Sequence, residues 1–449
     1  MSEGARQVLE EIQGEALILV PAMESSLPPT WPGARWIGCV DLEDLADCSR
    51  FELENHAGYE RARLLVRASG TVRGFVDLPS PAGVVDRAVF EEALEALPPV
   101  SPLPPAMTAP HITVVVCTRD RTEQLRGALM TVLALDYPRF DVVVVDNAPA
   151  TRATEELVRR EFRDQRVRMV VEPIPGLSHA RNTGLRHARG GLVAFTDDDV
   201  VVDRSWLWEI AAAFEAVPEA ACVTGLVPAG ELRTPAQGYF DTKVSWSRSL
   251  VPKVYSLADP PVGLPKFPFS PGVFGTGANF ALKRQTALEL GGFDPALGVG
   301  TRTGGGEDID MFTRVILEGY ALVVQPAAIV WHRHRDGLED LRVQARGYGN
   351  GLGAWMTKVM MDPRTARLAL AKSWGVGADF LSHPRAGQSA AQTPNSLEAQ
   401  VARLARVHLL SVASGPFRYL MSRRSSALAQ LAAPHAEYRG TPGSATTRR

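Results

Sequence analysis

Three adjacent carboxylates, Asp197-Asp198-Asp199, end the apolar run Leu192-Val193-Ala194-Phe195-Thr196. A buried strand that carries acidic oxygens to its own tip suits a hard divalent cation, Mg²⁺ or Mn²⁺, and through it a diphosphate. The same aspartates also suit a turn, with Asp203 capping a helix over 205–214 in which Trp206, Ile210 and Phe214 recur at helical spacing. A Ca²⁺ loop of the EF-hand kind does not fit, because the Gly and the distal Glu it needs are missing after Asp199. A second acidic group stands in Gly304-Gly305-Gly306-Glu307-Asp308-Ile309-Asp310, which opens a helix with Ile309, Phe312, Val315 and Ile316 on one face. Acidic residues belong in a first helical turn, so capping and chemistry both account for it.

The elements that must position these groups follow from periodicity. Strands are expected at 16–20, 35–40, 62–68 and 72–78, the last two forming a hairpin about Ser69-Gly70. They make residues 1–105 a small β-rich accessory domain, closed by the linker Pro98-Pro99-Val100-Ser101-Pro102-Leu103-Pro104-Pro105. From residue 106 strand and helix alternate, with strands at 111–117, 141–146, 167–171 and 192–195 and helices at 121–135, 154–162 and 178–189. This is α/β winding about a mixed, mainly parallel, Rossmann-like sheet, in which ligands sit beyond the carboxyl ends of the strands. Cys117-Thr118-Arg119-Asp120-Arg121, Asp146-Asn147 and the acidic triplet lie at such ends. The run from Gly176 to Gly184 opens a helix nearby, whose N-terminus with Arg181 favours a phosphate-bearing ligand. Neither a GxGxxG fingerprint nor a Walker A loop follows the first strand, which argues against NAD enzymes and P-loop NTPases.

Composition narrows the classes. The 449 residues, 45% hydrophobic and 22% charged, are those of a globular chain with room for two or three domains. A formal charge of −2 leaves no global basic field, so no nucleic acid is expected as partner and an anionic ligand must be held by local arginines. Cys39, Cys48, Cys117 and Cys222 form no CxxC pair, which fits a reducing compartment. Residues 1–14 lack the regions of a signal peptide and no apolar run reaches bilayer-spanning length, so the expected location is the cytoplasm, at most peripheral to the membrane. Residues 341–449 read as a helical C-terminal region broken by a flexible stretch over 382–396. Its basic amphipathic segments, 397–410 and 417–424, suit docking on the preceding domain or contact with an anionic membrane.

Taken together, Thr118-Arg119-Asp120-Arg121, Asp146-Asn147, Gly176 to Gly184 and Asp197-Asp198-Asp199 resemble the nucleotide-binding half of family 2 glycosyltransferases of the GT-A fold, and the resemblance extends over about 112–355. Gly275 to Arg284 is similar to the family's strand below the acceptor site, Gly291-Gly292-Phe293-Asp294 to the turn after it, and Glu307-Asp308 to its ED motif. The resemblance implies a catalytic domain over 106–340. In it Thr118, Arg119, Arg121, Asp146, Asn147, Arg181, Asp197 and Asp198 hold a nucleotide-sugar, a UDP-sugar first among the donors. It further implies that Asp197, Asp199 and His332, the last preferred to His334, hold Mg²⁺ or Mn²⁺. Asp308 is then the first choice for the base that deprotonates a hydroxyl acceptor, with Glu307 the alternative, and direct displacement inverts the anomeric centre. Two other classes compete. A sugar-1-phosphate nucleotidylyltransferase needs a Gly-rich basic signature after the first strand, which Cys117-Thr118-Arg119-Asp120 lacks, and a non-catalytic carbohydrate-binding relative has no need of a base.

Overall fold

A computed structural model describes residues 15–45, 48–99, 104–244, 250–374 and 397–432. The N-terminal region forms two three-stranded sheets. The first joins β1 (Glu15–Leu19), β3 (Cys48–Leu53) and β6 (Val84–Asp86), and the second joins β2 (Trp36–Asp41), β4 (Arg61–Ala68) and β5 (Thr71–Pro79). The expected hairpin is β4–β5, turning where Ser69 (φ 48°) and Gly70 (φ 74°) both take the left-handed conformation that a two-residue hairpin loop requires. Beyond the four expected strands the structure adds β3, β6 and α1 (Arg87–Glu95), the last capped by Asp86, whose carboxylate accepts from Ala88 N at 2.7 Å. Trp36, Phe51, Leu64 and Phe90 fill the core between these elements.

The main sheet is assembled from β7 (Ile112–Thr118), β8 (Phe140–Asn147), β9 (Val167–Glu172) and β10 (Leu192–Thr196), which are parallel, with α2 (Thr122–Leu133), α3 (Ala153–Glu161) and α4 (Leu177–His187) as crossovers. The chain then adds β11 (Val200–Val202), α5 (Trp206–Ala216), β12 (Ala220–Leu226), α6 (Pro235–Lys243) and β13 (Lys253–Tyr255). It ends the sheet with β14 (Asn279–Lys283), α7 (Arg284–Glu289), α8 (Glu307–Leu317) and β15 (Ala321–His332). The order is β11-β15-β12-β14-β10-β7-β8-β9, with β13 on β15. β14 runs antiparallel between β10 and β12 and so fuses two parallel groups into one nine-stranded sheet.

Burial on both faces explains the unbroken valine runs. Val114, Val116, Val142 and Val144 face α2 and α5, while Val115, Val143 and Val145 face the layer of α4 and α8, as the strand period of two demands. The apolar runs 321–324 and 328–330 belong to one strand, β15. A register shift opposite Gly225 and Leu226 lets it pass Pro326, which has no N–H for the ladder.

The C-terminal region forms α9 (Leu338–Met361), α10 (Pro363–Trp374) and α11 (Leu397–Ala432). The two basic segments expected at 397–410 and 417–424 belong to this single α11, which runs through Pro416, and the stretch 382–396 lies outside the described residues. Pro416 lacks the N–H that would bind Val412 O, and that carbonyl lies over α9, where a Cβ at Gly353 would meet it at 2.1 Å. The N-terminal region also shares a core with the sheet. Ile37, Leu65 and Val72 pack with Leu226, Ile329 and Trp331, and Arg67 bonds Asp203 at 2.7 Å. Because α9 and α11 meet at backbone distance, Gly353→Ala should destabilise the fold by about 1–3 kcal/mol as the added methyl forces the helices apart. Chemical denaturation measures this, and an unchanged midpoint would contradict the packing described.

Candidate functional site

The acidic triplet leaves the sheet where β10 ends, and backbone pairing decides what it meets. β11 pairs antiparallel with the end of β15, Val200 opposite His332, so a residue far along the chain is delivered beside Asp199. His332 Nε2 lies 3.3 Å from Asp199 Oδ1, and its Nδ1 lies 3.4 Å from that of the buried His334. Arg121 bridges the triplet, donating from Nη1 to Asp198 at 2.6 Å and from Nη2 to Asp199 at 2.7 Å. Asp198 is buried and also accepts from the Thr118 hydroxyl at 2.7 Å. Among the described residues, Asp197, Asp199 and His332 are the one group of such donors whose ligand atoms all lie within 4.8 Å of one another.

The electrostatics divide these residues. Burial works to raise the Asp199 carboxyl, yet His332 and Arg121 outweigh it and hold it well below the usual range. Burial pushes Asp198 up to about 7 against the pull of Arg121, and raises Asp197 against Arg181. His332 is disfavoured as a cation by burial but lifted above the ordinary imidazole value by Asp199. His334, buried beside it, is pushed down to about 3. Two carboxylates and an imidazole form a donor set that fits a divalent ion such as Mn²⁺, which would take the place of the imidazolium proton.

The second acidic group approaches from the other side. Gly306, at φ 96°, caps α8 in the left-handed region, where a side chain is strained, and a Cβ there would lie 2.7 Å from Gly351 O of α9. Glu307 is buried, its Oε1 accepting from Arg181 Nη1 at 2.8 Å, while its Oε2 has no hydrogen-bond partner among the described residues. Burial, and then Asp308, push its carboxyl up to about 7 in spite of Arg181. Asp308 is only partly buried. Its Oδ2 accepts from Gly277 N and its Oδ1 from Ile309 N, both at 2.8 Å. Arg181, 3% exposed, also donates to Gly277 O at 2.9 Å and stands 3.8 Å from Asp197. The rings of Phe280 and Phe293 lie 5.3 Å and 5.7 Å from its guanidinium. One cation therefore joins the two acidic groups.

The remaining expected residues divide by exposure. Asp146 is buried at the tip of β8, with Oδ1 unpartnered among the described residues and its carboxyl pushed up to about 6 by burial. Asn147 spends its amide inside the fold, donating to Glu172 O and Ile174 O at 3.3 Å and 2.8 Å and accepting from Gly176 N at 2.8 Å. It holds the loop before α4 and does not face outward. Arg119 is half exposed, whereas Arg121 and Arg181, expected to grip a phosphate, are engaged by carboxylates because an unpaired acid in this crevice would be costly. Gly277, the hinge between Arg181 and Asp308, has no side chain to mark it, and only its place in the Gly275 to Arg284 segment draws notice.

Residues 113–283 match the family model "Glycosyl transferase family 2", so this stretch of the chain carries a domain of that family. The succinoglycan biosynthesis protein ExoM of Rhizobium meliloti is 32% identical over 229 residues, 49% of this chain and 66% of the relative. The pre-mycofactocin glycosyltransferase of Mycobacterium tuberculosis is 27% identical over 244 residues, 53% of this chain and 46% of the relative. The chain thus spans between about half and two thirds of the length of these relatives. A mannosyltransferase from Pyrobaculum calidifontis, solved with GDP-Man and Mn²⁺, aligns over 74% of this chain and 90% of its own at 21% identity, with a TM-score of 0.45.

Arg181 should behave as a buried counter-charge. Arg181→Met leaves Glu307 and Asp197 facing each other without it and should cost about 3–5 kcal/mol of stability, of which the double variant with Glu307→Gln should recover a part. Denaturant unfolding of the single and double variants tests this, and strictly additive losses would show that the pair is not coupled.

Proposed function

We propose that this protein is a metal-dependent inverting glycosyltransferase that moves a sugar from a nucleoside-diphosphate donor to a hydroxyl acceptor. The observation that supports it most is the pair of carboxylate groups on one crevice, Asp197, Asp199 and His332 on one side and Glu307 with Asp308 on the other, joined by Arg181. A transfer of this kind asks for two different things. The acceptor hydroxyl must lose a proton as it attacks, and the departing diphosphate must be neutralised.

Asp197, Asp199 and His332 would hold the divalent ion, which supplies charge neutralisation for the diphosphate. Their mixed oxygen and imidazole set favours Mn²⁺ over Mg²⁺ as the first ion to test. Asp308 is assigned as base because it is the more accessible member of its pair, whereas Glu307 is buried and fixed by Arg181. Gly277 N and Ile309 N orient the Asp308 carboxylate. Thr118 and Asp146, at adjacent strand tips in register, line the donor side with the exposed Arg119, and a UDP-sugar is the donor to try first. No helix among the described residues is long and apolar enough to cross a membrane.

Asp199→Ala removes a ligand without touching the core and should abolish the stabilisation by nucleoside diphosphate that depends on Mn²⁺, read as a thermal shift. Retention of that shift would sink the metal assignment. Asp308→Asn keeps shape and size but cannot take a proton, so kcat should fall by about a hundred- to ten-thousand-fold while donor affinity hardly changes. Full turnover refutes the role, and a comparable loss in Glu307→Gln alone transfers it to Glu307.

A further inference from the structure

The C-terminal helices carry a charge imbalance that the chain as a whole lacks. Across the sequence 48 basic residues stand against 50 acidic ones, yet α10 and α11 together hold eight Lys or Arg residues and one acid, Glu398. One side of α11 is spent on the protein. Ser411, Gly415, Tyr419 and Ser422 are buried, Tyr419 donates to Asp294 Oδ2 at 3.0 Å, and Ser426 donates to Pro295 O at 2.9 Å. The other side bears Leu409, Leu410, Phe417, Leu420 and Leu428, which are 70%, 71%, 71%, 52% and 59% exposed.

At about 100° per residue, these five side chains fall within one arc of about 100°, and the four buried ones fall in a separate arc across the helix. Arg406 and Arg424, both exposed, lie on the same arc about 27 Å apart along the axis and bracket Leu409, Leu410, Phe417 and Leu420. A large apolar stripe left open on a helix that is already docked calls for an occupant. We propose that this face of α11 lies on an anionic lipid surface, with Leu409, Leu410, Phe417 and Leu420 in the acyl boundary and the flanking arginines at the level of the phosphates. A second copy is the poorer fit, because two such faces would bring arginine against arginine with no acid between them to pair.

The placement also has a bearing on the crevice. The loop that α11 grips through Asp294, Pro295 and the Arg302 carbonyl runs directly into Gly306 and the start of α8. A lipid-bound α11 would therefore sit on the same side of the molecule as Glu307 and Asp308.

Co-sedimentation of the full chain with vesicles of phosphatidylglycerol, and separately of phosphatidylcholine, tests the proposal. Binding to the anionic vesicles is expected, and it should weaken strongly between about 0.1 M and 0.5 M salt, as the screening length shortens. The variant Leu410→Glu/Phe417→Glu/Leu420→Glu should lose about a hundredfold in partition while its thermal midpoint and Mn²⁺-dependent donor hydrolysis stay unchanged. Absence of binding, equal binding to neutral vesicles, or undiminished binding by the variant would overturn it. So would a dimer, detected by light scattering, that the same substitutions dissolve, since the face would then belong to a second copy. Should the wild type bind anionic vesicles yet hydrolyse no nucleotide-sugar, the lipid surface stands and the transferase reading fails.

Discussion

A guanidinium cannot shed its proton inside a protein, so burying Arg181 obliges the fold to surround it with negative charge. Glu307 supplies one partner at 2.8 Å, Asp197 a second at 3.8 Å, and the carbonyl of Gly277 takes a third donor. These residues come from the end of β10, the start of α8 and the turn before β14, elements far apart in the chain. Neutralising Glu307 or Asp197 removes part of that compensation from a buried charge. That constraint holds the two acidic groups at a set separation and leaves Asp308, one residue beyond Glu307, facing the crevice.

Even so, the charges do not balance. Asp197, Asp198, Asp199, Glu307 and Asp308 meet Arg121, Arg181 and the imidazole of His332, and burial raises three of the five carboxyls. Raised carboxyls mark places where negative charge is under-compensated, and a divalent cation relieves that strain more effectively than protonation at neutral pH. Asp199 is the contrast. Its carboxyl is held low by His332 and Arg121, so it is ionised under any ordinary condition. His334, kept neutral behind His332, adds a polar neighbour without competing charge.

Much of this arrangement was legible in the sequence, and the exceptions share a cause. The valine runs of β7 and β8 and the acidic tip of β10 announce a parallel sheet with polar strand ends, and Ser69-Gly70 announces a hairpin, because each is a local signal. What local signals do not carry is pairing across distance. β3 alternates charged and apolar residues too loosely to stand out, β15 reads as two pieces until Gly225 and Leu226 are seen to absorb its bulge, and α11 reads as two helices until α9 supports it past Pro416. For Arg121 and Arg181 a sequence shows the positive charge but not the carboxylates folded against it. Of the two arginines expected at the first strand tip, Arg119 is the more exposed, a difference that no spacing in the sequence reveals.

The N-terminal region illustrates how a part without evident chemistry still bears on it. Its hairpin and β2 place Ile37, Leu65 and Val72 against Ile329 and Trp331, the residues of β15 that lead directly to His332. Arg67 ties the same face to Asp203, just past β11, and Arg333 donates to the Glu24 carbonyl. Both strands that bring His332 to Asp199 are thus backed by the first eighty residues. On the opposite side the glycine seam of α9 backs Gly306 and the start of α8, and α11 backs α9 in turn. The catalytic sheet supplies the carboxylates, but the position of one group relative to the other depends on two outer layers whose own sequences carry none of its chemistry.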